Sequence, residues 1–262
     1  MVARKDTLRT EELSALRQVR GALPEADILL VGAVAIDRHI ALARQTDDMD
    51  LAIGIELEDF PGPLGSIHGW RHDQARAEHR FFTECGLQLD IIPAGASIRE
   101  RGMIRWPSGF EMSLVGFDVA FRRADRVDLE GVRVLCPALP ELLLLKIAAW
   151  LDRRHERQKD LGDIAVLLRN YLEDDHERHW HDEIQAGALD HDLQGAYALG
   201  LDLRRICEAR HIKLVHEFCS TAPANLGAHV WIDQDEPDAR RFLDAFRAGF
   251  DGIVATVSFS RE

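Results

Sequence analysis

Asp48 and Asp50 stand two residues apart in Asp-Met-Asp-Leu-Ala-Ile, a run that is otherwise apolar. In an extended strand that spacing points both carboxylates to one face, roughly 6.6 Å apart along the chain. Two such carboxylates repel, and a shared cation relieves the repulsion. Hard divalent ions such as Mg²⁺ take carboxylate oxygen and keep positions open for substrate phosphates. Asp90, in Leu-Asp-Ile-Ile, is a third acid inside an apolar strand. On a neighbouring strand it would lie about 4.8 Å away and complete a metal site. Gly32 and Ala33 fall where an apolar strand gives way to helical composition. Small residues there let backbone N–H groups approach a phosphate at a helix N-terminus. A phosphate-binding turn followed by paired metal carboxylates is the minimum apparatus for phosphoryl transfer at two metals.

Each of these acids also has a plainer reading. Asp48 and Asp50 would serve equally as surface acids on an edge strand, and Asp90 as the solvent-facing position of an alternating strand. Lys146 sits in Leu-Leu-Leu-Leu-Lys-Ile-Ala-Ala-Trp, where its neighbours leave it no polar face. A buried lysine is costly unless it is paired or faces a cleft. It either snorkels along the helix to water or presents a cation to a nucleotide's phosphates. Asp160 and Asp163 share a helix face near Lys159, Arg157 and Arg154. They read as an ion-pair ladder, such as Lys159 with Asp163, or as a clamp that orients Lys146 and the acceptor.

The positioning elements follow from periodicity and punctuation. Thr10 before Glu11 and Glu12 marks a helix start, and residues 21–24 close that helix. Short apolar runs at residues 28–31, 51–55 and 87–92 read as buried strands. Residues 33–43 have helical composition, and the Gly/Pro-rich residues 60–69 read as loop. Further short strands are expected at residues 79–83, 111–115, 127–129 and 132–135. After Pro137 helical periods take over, from the apolar residues 141–151 and the amphipathic residues 161–171 to a last helix at residues 237–250. Residues 253–262 fit either a strand or a frayed tail. Strands first and helices afterwards describe an α+β domain followed by a helical region, with the boundary near residue 136.

Composition narrows the partners. The net charge of −13 speaks against a simple nucleic-acid coat protein, although one local basic cleft suffices for an enzyme that touches RNA. No apolar run approaches the roughly 20 residues of a membrane span, so no membrane partner is expected. Residues 1–12 are charged from residue 4 onward and lack the apolar core of a secretory signal, so a cytoplasmic protein is expected. Cys85, Cys136, Cys207 and Cys219 form no CxxC pair. His176-Glu-Arg-His179 is one residue short of a zinc-protease HExxH, and so polar a stretch reads as a solvated loop or helix surface.

The turn Gly32-Ala33 followed by Arg44-x-Thr46-x-Asp48-x-Asp50 resembles the signature of polymerase-β-like nucleotidyltransferases, and within them the AbiEii/AbiGii toxin-type enzymes. Leu89-Asp90-Ile-Ile-Pro-Ala-Gly95 is similar to that family's third-carboxylate strand and the turn after it. Trp106-Pro107, Leu114-Val-Gly-Phe117, Leu144-Leu-Lys146-Ile-Ala-Ala-Trp150, and Arg154 followed by Lys159-Asp160-Leu-Gly-Asp163-Ile164 recur in such proteins. Many members carry Gly-Gly or Gly-Ser where this chain has Gly32-Ala33. The spacing to Asp48 is also slightly longer than the superfamily pattern.

The resemblance implies a mixed β-sheet flanked by helices as a catalytic domain over residues 1–136, and a mainly helical region over residues 137–262. It implies transfer of an NMP from an NTP to a hydroxyl acceptor, on RNA such as tRNA or on a protein. Asp48, Asp50 and Asp90 would hold Mg²⁺ or Mn²⁺, and one of them would also take the acceptor's proton. Gly32, Ala33, Arg44, Thr46 and Lys146 would bind the nucleotide, with Asp160 and Asp163 behind Lys146. Arg44 would instead brace the carboxylates if it stands outside the cleft. A toxin with a cognate antitoxin is the implied biology. The alternative is a non-catalytic module of the same fold that binds a nucleotide or a partner without turnover.

Overall fold

The computed structural model describes residues 8–40, 46–75, 77–226 and 236–252. The chain divides into two compact units, Met1–Ala138 and Leu139–Glu262.

The first unit begins with α1 (Thr10–Ala22), β1 (Ile28–Val31), α2 (Gly32–Asp37) and β2 (Asp48–Ile53). The short strands β3 (Arg71–His72) and β4 (Arg80–Phe82) precede β5 (Gln88–Pro93). Then come α3 (Ala96–Arg101), β6 (Met103–Arg105), β7 (Glu111–Ser113) and α4 (Phe117–Arg123), and last β8 (Asp125–Leu129) and β9 (Val132–Cys136). Seven strands make one mixed sheet in the order β3-β4-β5-β2-β1-β9-β8, while β6 and β7 pair separately as a hairpin. At its centre β1 runs antiparallel to β2 and parallel to β9, and β2 runs parallel to β5.

The centre of the sheet is where burial is deepest. All four residues of β1 are buried, as its unbroken Ile-Leu-Leu-Val run requires of a strand covered on both faces. Each such side chain contributes roughly 1.5–3 kcal/mol of apolar burial. In β5 burial alternates, with Leu89 and Ile91 inside while Gln88 and Asp90 share the other face. Helix α1 starts where the Glu12 carboxylate accepts the Arg9 backbone N–H at 2.8 Å. It ends on the Arg20 guanidinium, which donates to the carbonyls of Pro24 and Ala26 and, from β9, of Arg133.

Several boundaries differ from the sequence reading. Strand β2 starts at Asp48 rather than Leu51, because its ladder with β5 continues through both aspartates. Helix α2 closes at Asp37, well before residue 43, and residues 41–43 lie outside the described ones. Residues 60–69 hold a short 3₁₀ turn, Gly62–Ser66, within the expected loop. The short elements α3, α4, β3 and β6 carry no period long enough to read from sequence.

Among its described residues the second unit is helical: α5 (Leu139–Asp152), α6 (Gln158–Asn170), α7 (Asp182–Gln185), α8 (Gln194–Ile206), α9 (Ala209–Thr221) and α10 (Glu236–Asp251). Residues 253–262, left open between strand and tail, lie outside the described ones. The fold is therefore α+β, a mixed sheet with helices followed by a helical unit. Trp150, Phe218, Phe246 and Phe250 are fully buried in the helical core. Helices α8 and α10 approach through glycines. A Cβ on Gly200 would overlap the Phe246 carbonyl oxygen, and one on Gly249 would overlap that of Tyr197.

His179 corrects the solvated reading of residues 176–181. It is 3% exposed, with Nδ1 2.8 Å from the Gln194 side-chain oxygen and Nε2 3.0 Å from the Glu173 carbonyl. Trp180 beside it is exposed. The polar sequence hides one inward-facing ring whose two nitrogens are both satisfied locally. No described helix is long and apolar enough to cross a membrane.

Candidate active site

The carboxylates of the first unit are placed by strand register. Across the sheet, Val31 on β1 pairs with Asp50 on β2, Asp50 with Asp90 on β5, and Asp90 with Arg80 on β4. Residues paired directly across a ladder share a face, so Asp50, Asp90 and Arg80 form one row. Asp48, two positions before Asp50, heads the adjacent row with Gln88 and Phe82. Asp48 and Asp50 are half-buried, in contrast to the buried Met49 and Leu51 that alternate with them.

The turn after β1 is shaped around this row. Gly32 has φ +66°, and a Cβ there would overlap the Asp50 carboxylate. Only glycine satisfies both the left-handed backbone and the close approach. Ala33 is buried in the first turn of α2. Thr46 is half-buried and continues the two-residue spacing of Asp48 and Asp50. Arg44 lies outside the described residues.

Asp90 is engaged differently from the other two acids. Arg80 donates to it through one edge of its guanidinium, Nε to Oδ1 and Nη2 to Oδ2, each at 2.8 Å. Gln88 Nε2 donates to Oδ1 at 3.3 Å, and His79 Nε2 stands 3.7 Å from Oδ2. Behind them, Trp106 is 3% exposed, with ring contacts to His79 and Phe60. Hydrogen bonding to Asp90, the largest influence, raises the pKa of Arg80 against its partial burial. Arg80 and His79 were not singled out in the sequence. A lone arginine alternating with apolar residues in Arg-Phe-Phe was the available signal, opposite in sign to the acid in Leu-Asp-Ile-Ile.

The donor chemistry suits a hard cation only in part. Asp48 and Asp50 offer carboxylate oxygen from one face, and Mg²⁺ commonly takes one or two carboxylates and completes its shell with water and substrate phosphates. Among the described residues no three His, Cys, Asp or Glu side chains converge on a common point for a metal. Asp90, expected as the third ligand, accepts one hydrogen bond from Arg80 on each of its oxygens.

In the second unit, Lys146 on α5 meets Asp160 and Asp163 on α6. Its Nζ is 2.7 Å from Asp160 Oδ1 and 2.7 Å from Asp163 Oδ2. The lysine side chain is 11% exposed and the carboxylates 1% and 3%, while Arg157 reaches Asp160 Oδ2 at 3.3 Å. Burial alone would lower the Lys146 pKa, but the two carboxylates outweigh it and raise the value. Burial likewise pushes Asp160 up, yet Lys146 and Arg157 hold it below the ordinary carboxylate range. Asp160 and Asp163 thus both pair with Lys146, and the lysine does not snorkel to water.

The family described as nucleotidyl transferase AbiEii toxin, type IV toxin–antitoxin system, matches residues 15–251. The crystal structure of a candidate nucleotidyltransferase from H. pylori is similar at 15% identity and a TM-score of 0.39, over 93% of this chain and 96% of that one. No curated protein matches. With nearly the whole chain matched, the protein belongs to the AbiEii family of nucleotidyltransferase toxins.

Proposed function

We propose that this nucleotidyltransferase moves an NMP from an NTP onto a hydroxyl acceptor, on RNA such as tRNA or on a protein, in the cytoplasm, as the toxin partner of a cognate antitoxin. The observation that carries the reading is the pair Asp48 and Asp50, half-buried on one face of β2, with Asp50 packed against the glycine turn that ends β1.

Asp48 and Asp50 would hold Mg²⁺ or Mn²⁺, which when bound offsets the charge of the triphosphate. The backbone N–H groups of Gly32 and Ala33 would bind phosphate oxygens, and the Thr46 hydroxyl would hydrogen-bond phosphate or base. In the transfer, the acceptor oxygen bonds to the α-phosphorus as its bond to the α,β-bridging oxygen breaks. Pyrophosphate leaves, and the hydroxyl proton passes to a carboxylate of the site or to water. Within the second unit, Asp160 and Asp163 would fix the direction of the Lys146 ammonium, whose remaining N–H suits an oxyanion.

The test supplies each α-labelled NTP with Mg²⁺ or Mn²⁺, and RNA and protein from whole cells as acceptors. A labelled species that disappears with Asp48→Ala supports the reading and identifies base and acceptor class together. A folded protein that binds nucleotide but labels nothing favours the non-catalytic module.

A further inference from the structure

We propose that Arg80 is a substrate-contacting residue, that its guanidinium binds the β- and γ-phosphates of the NTP and the departing pyrophosphate, and that Asp90 is the positioning residue that aims it. This rests on the nucleotidyl-transfer reading above and assigns Asp90 a role other than metal ligand.

Three observations converge. First, the register places Arg80 in the same row and on the same face as Asp50, with Asp90 between them. Second, Asp90 takes the Nε–H and one N–H of Nη2. A guanidinium has five N–H donors in a rigid plane, so the end formed by Nη1 and the second N–H of Nη2 remains to grip an oxyanion in bidentate fashion. Third, the Arg80 side chain is 32% exposed against 13% for Asp90, so the cation and not its anchor is the accessible member of the pair. Arg80 also feels the negative charge of Asp48, which sets it near the metal-binding pair.

A guanidinium held on one edge by a carboxylate has lost most of its rotamer freedom in advance. A phosphate arriving at the other edge then gains charge-assisted hydrogen bonds without ordering a long side chain. His79 beside Oδ2 and Gln88 on Oδ1 restrict Asp90 in turn.

The experiment uses the full chain, with inorganic pyrophosphate titrated calorimetrically in Mg²⁺ and KM for the NTP measured by label transfer. Arg80→Ala is expected to weaken pyrophosphate binding and raise KM roughly 10- to 100-fold, with a smaller change in kcat. Arg80→Lys, which keeps the charge and loses the fork, is expected to restore little of this. Asp90→Asn should shift the same two quantities in the same direction, leave the half-maximal Mn²⁺ concentration unchanged, and add nothing on top of Arg80→Ala. Melting temperatures confirm that each variant is folded. Wild-type pyrophosphate affinity in folded Arg80→Ala and Arg80→Lys would overturn the inference and leave the wider reading standing. So would a tenfold shift in the Mn²⁺ requirement for Asp90→Asn alone, which would return Asp90 to the metal. If the wild type neither binds pyrophosphate nor transfers label, both readings fail together.

Discussion

The two charged clusters of this molecule are built in opposite ways. Asp48 and Asp50 are half-buried on the face of a sheet, and beside them the Arg80 side chain retains 32% of its exposure. Lys146, Asp160 and Asp163 are closed into the helical unit, the carboxylates at 1% and 3% exposure. In the second cluster a cation and two anions meet at 2.7 Å away from water, so that removing any one partner strands buried charge. In the first, the glycine turn is shaped to admit the Asp50 carboxylate, which a Cβ at Gly32 would overlap. The comparison separates residues whose loss is read as chemistry from residues whose loss is read first as folding.

The largest expected effect breaks the sheet-face cluster. Asp48→Ala should lower label transfer by at least about a hundredfold, since a group acting on transition-state charge is removed. Its unfolding free energy should stay within about 0.5 kcal/mol of wild type, because the side chain is half-exposed and leaves no cavity. Urea denaturation alongside the transfer assay reads both quantities. Equal losses of stability and activity would put Asp48 in the same class as Lys146.

Lys146→Ala sharpens the contrast from the other side. It leaves two buried carboxylates without the ammonium they share, although Arg157 still reaches Asp160, and should cost about 3–5 kcal/mol of stability. Lost activity in that variant would then follow from misfolding as readily as from a missing phosphate contact. A melting temperature equal to wild type with transfer abolished would show instead that the ammonium serves substrate and not the fold.

How far each cluster was legible in the sequence follows from the same difference. Ile28–Val31, the Asp-x-Asp pair and Leu-Asp-Ile-Ile declare themselves because a strand's period of two writes face directly into sequence. That Asp90 would stand beside Asp50 needed only parallel pairing of two recognised strands. That Arg80 would stand beside Asp90 depended on β4, three residues long, and on an antiparallel register that local sequence does not specify. The clamp of Lys146 was readable as one of two outcomes, since helical spacing placed Asp160 and Asp163 on one face without saying what faced them. His179 went unseen because burial of a single polar side chain is decided by what packs over it, here Gln194 and His191. Glycine in a helix gives no sign of close approach, so the contact of α8 with α10 was also hidden.

That contact yields a smaller effect confined to the helical unit. Gly200→Ala pushes a methyl group into the Phe246 carbonyl, a backbone atom that cannot swing aside. The helices must separate, costing about 1–3 kcal/mol despite alanine's better helix propensity. Thermal unfolding checks this, and a stabilised variant would mean that the helices are free to slide apart.

The smallest effect tests whether the Lys146 cluster contributes through charge. Asp160 has its pKa held below the unfolded value by Lys146 and Arg157, against the opposing pull of burial. A depressed carboxylate contributes stability that is fully present above its unfolded pKa, near 4, and is lost as pH falls through the lower folded value. Asp160→Asn preserves shape and one hydrogen-bond acceptor for Lys146, while Asp163 keeps its own contact at 2.7 Å. Its cost should therefore be modest, about 1 kcal/mol at neutral pH. The unfolding curves of variant and wild type should converge as pH drops below 4, where wild-type Asp160 takes up its proton and loses the charge that the variant lacks at every pH. A gap of constant size from pH 3 to pH 7 would assign the contribution of Asp160 to packing and hydrogen-bond geometry, and the contrast between the two clusters would then lie in burial alone.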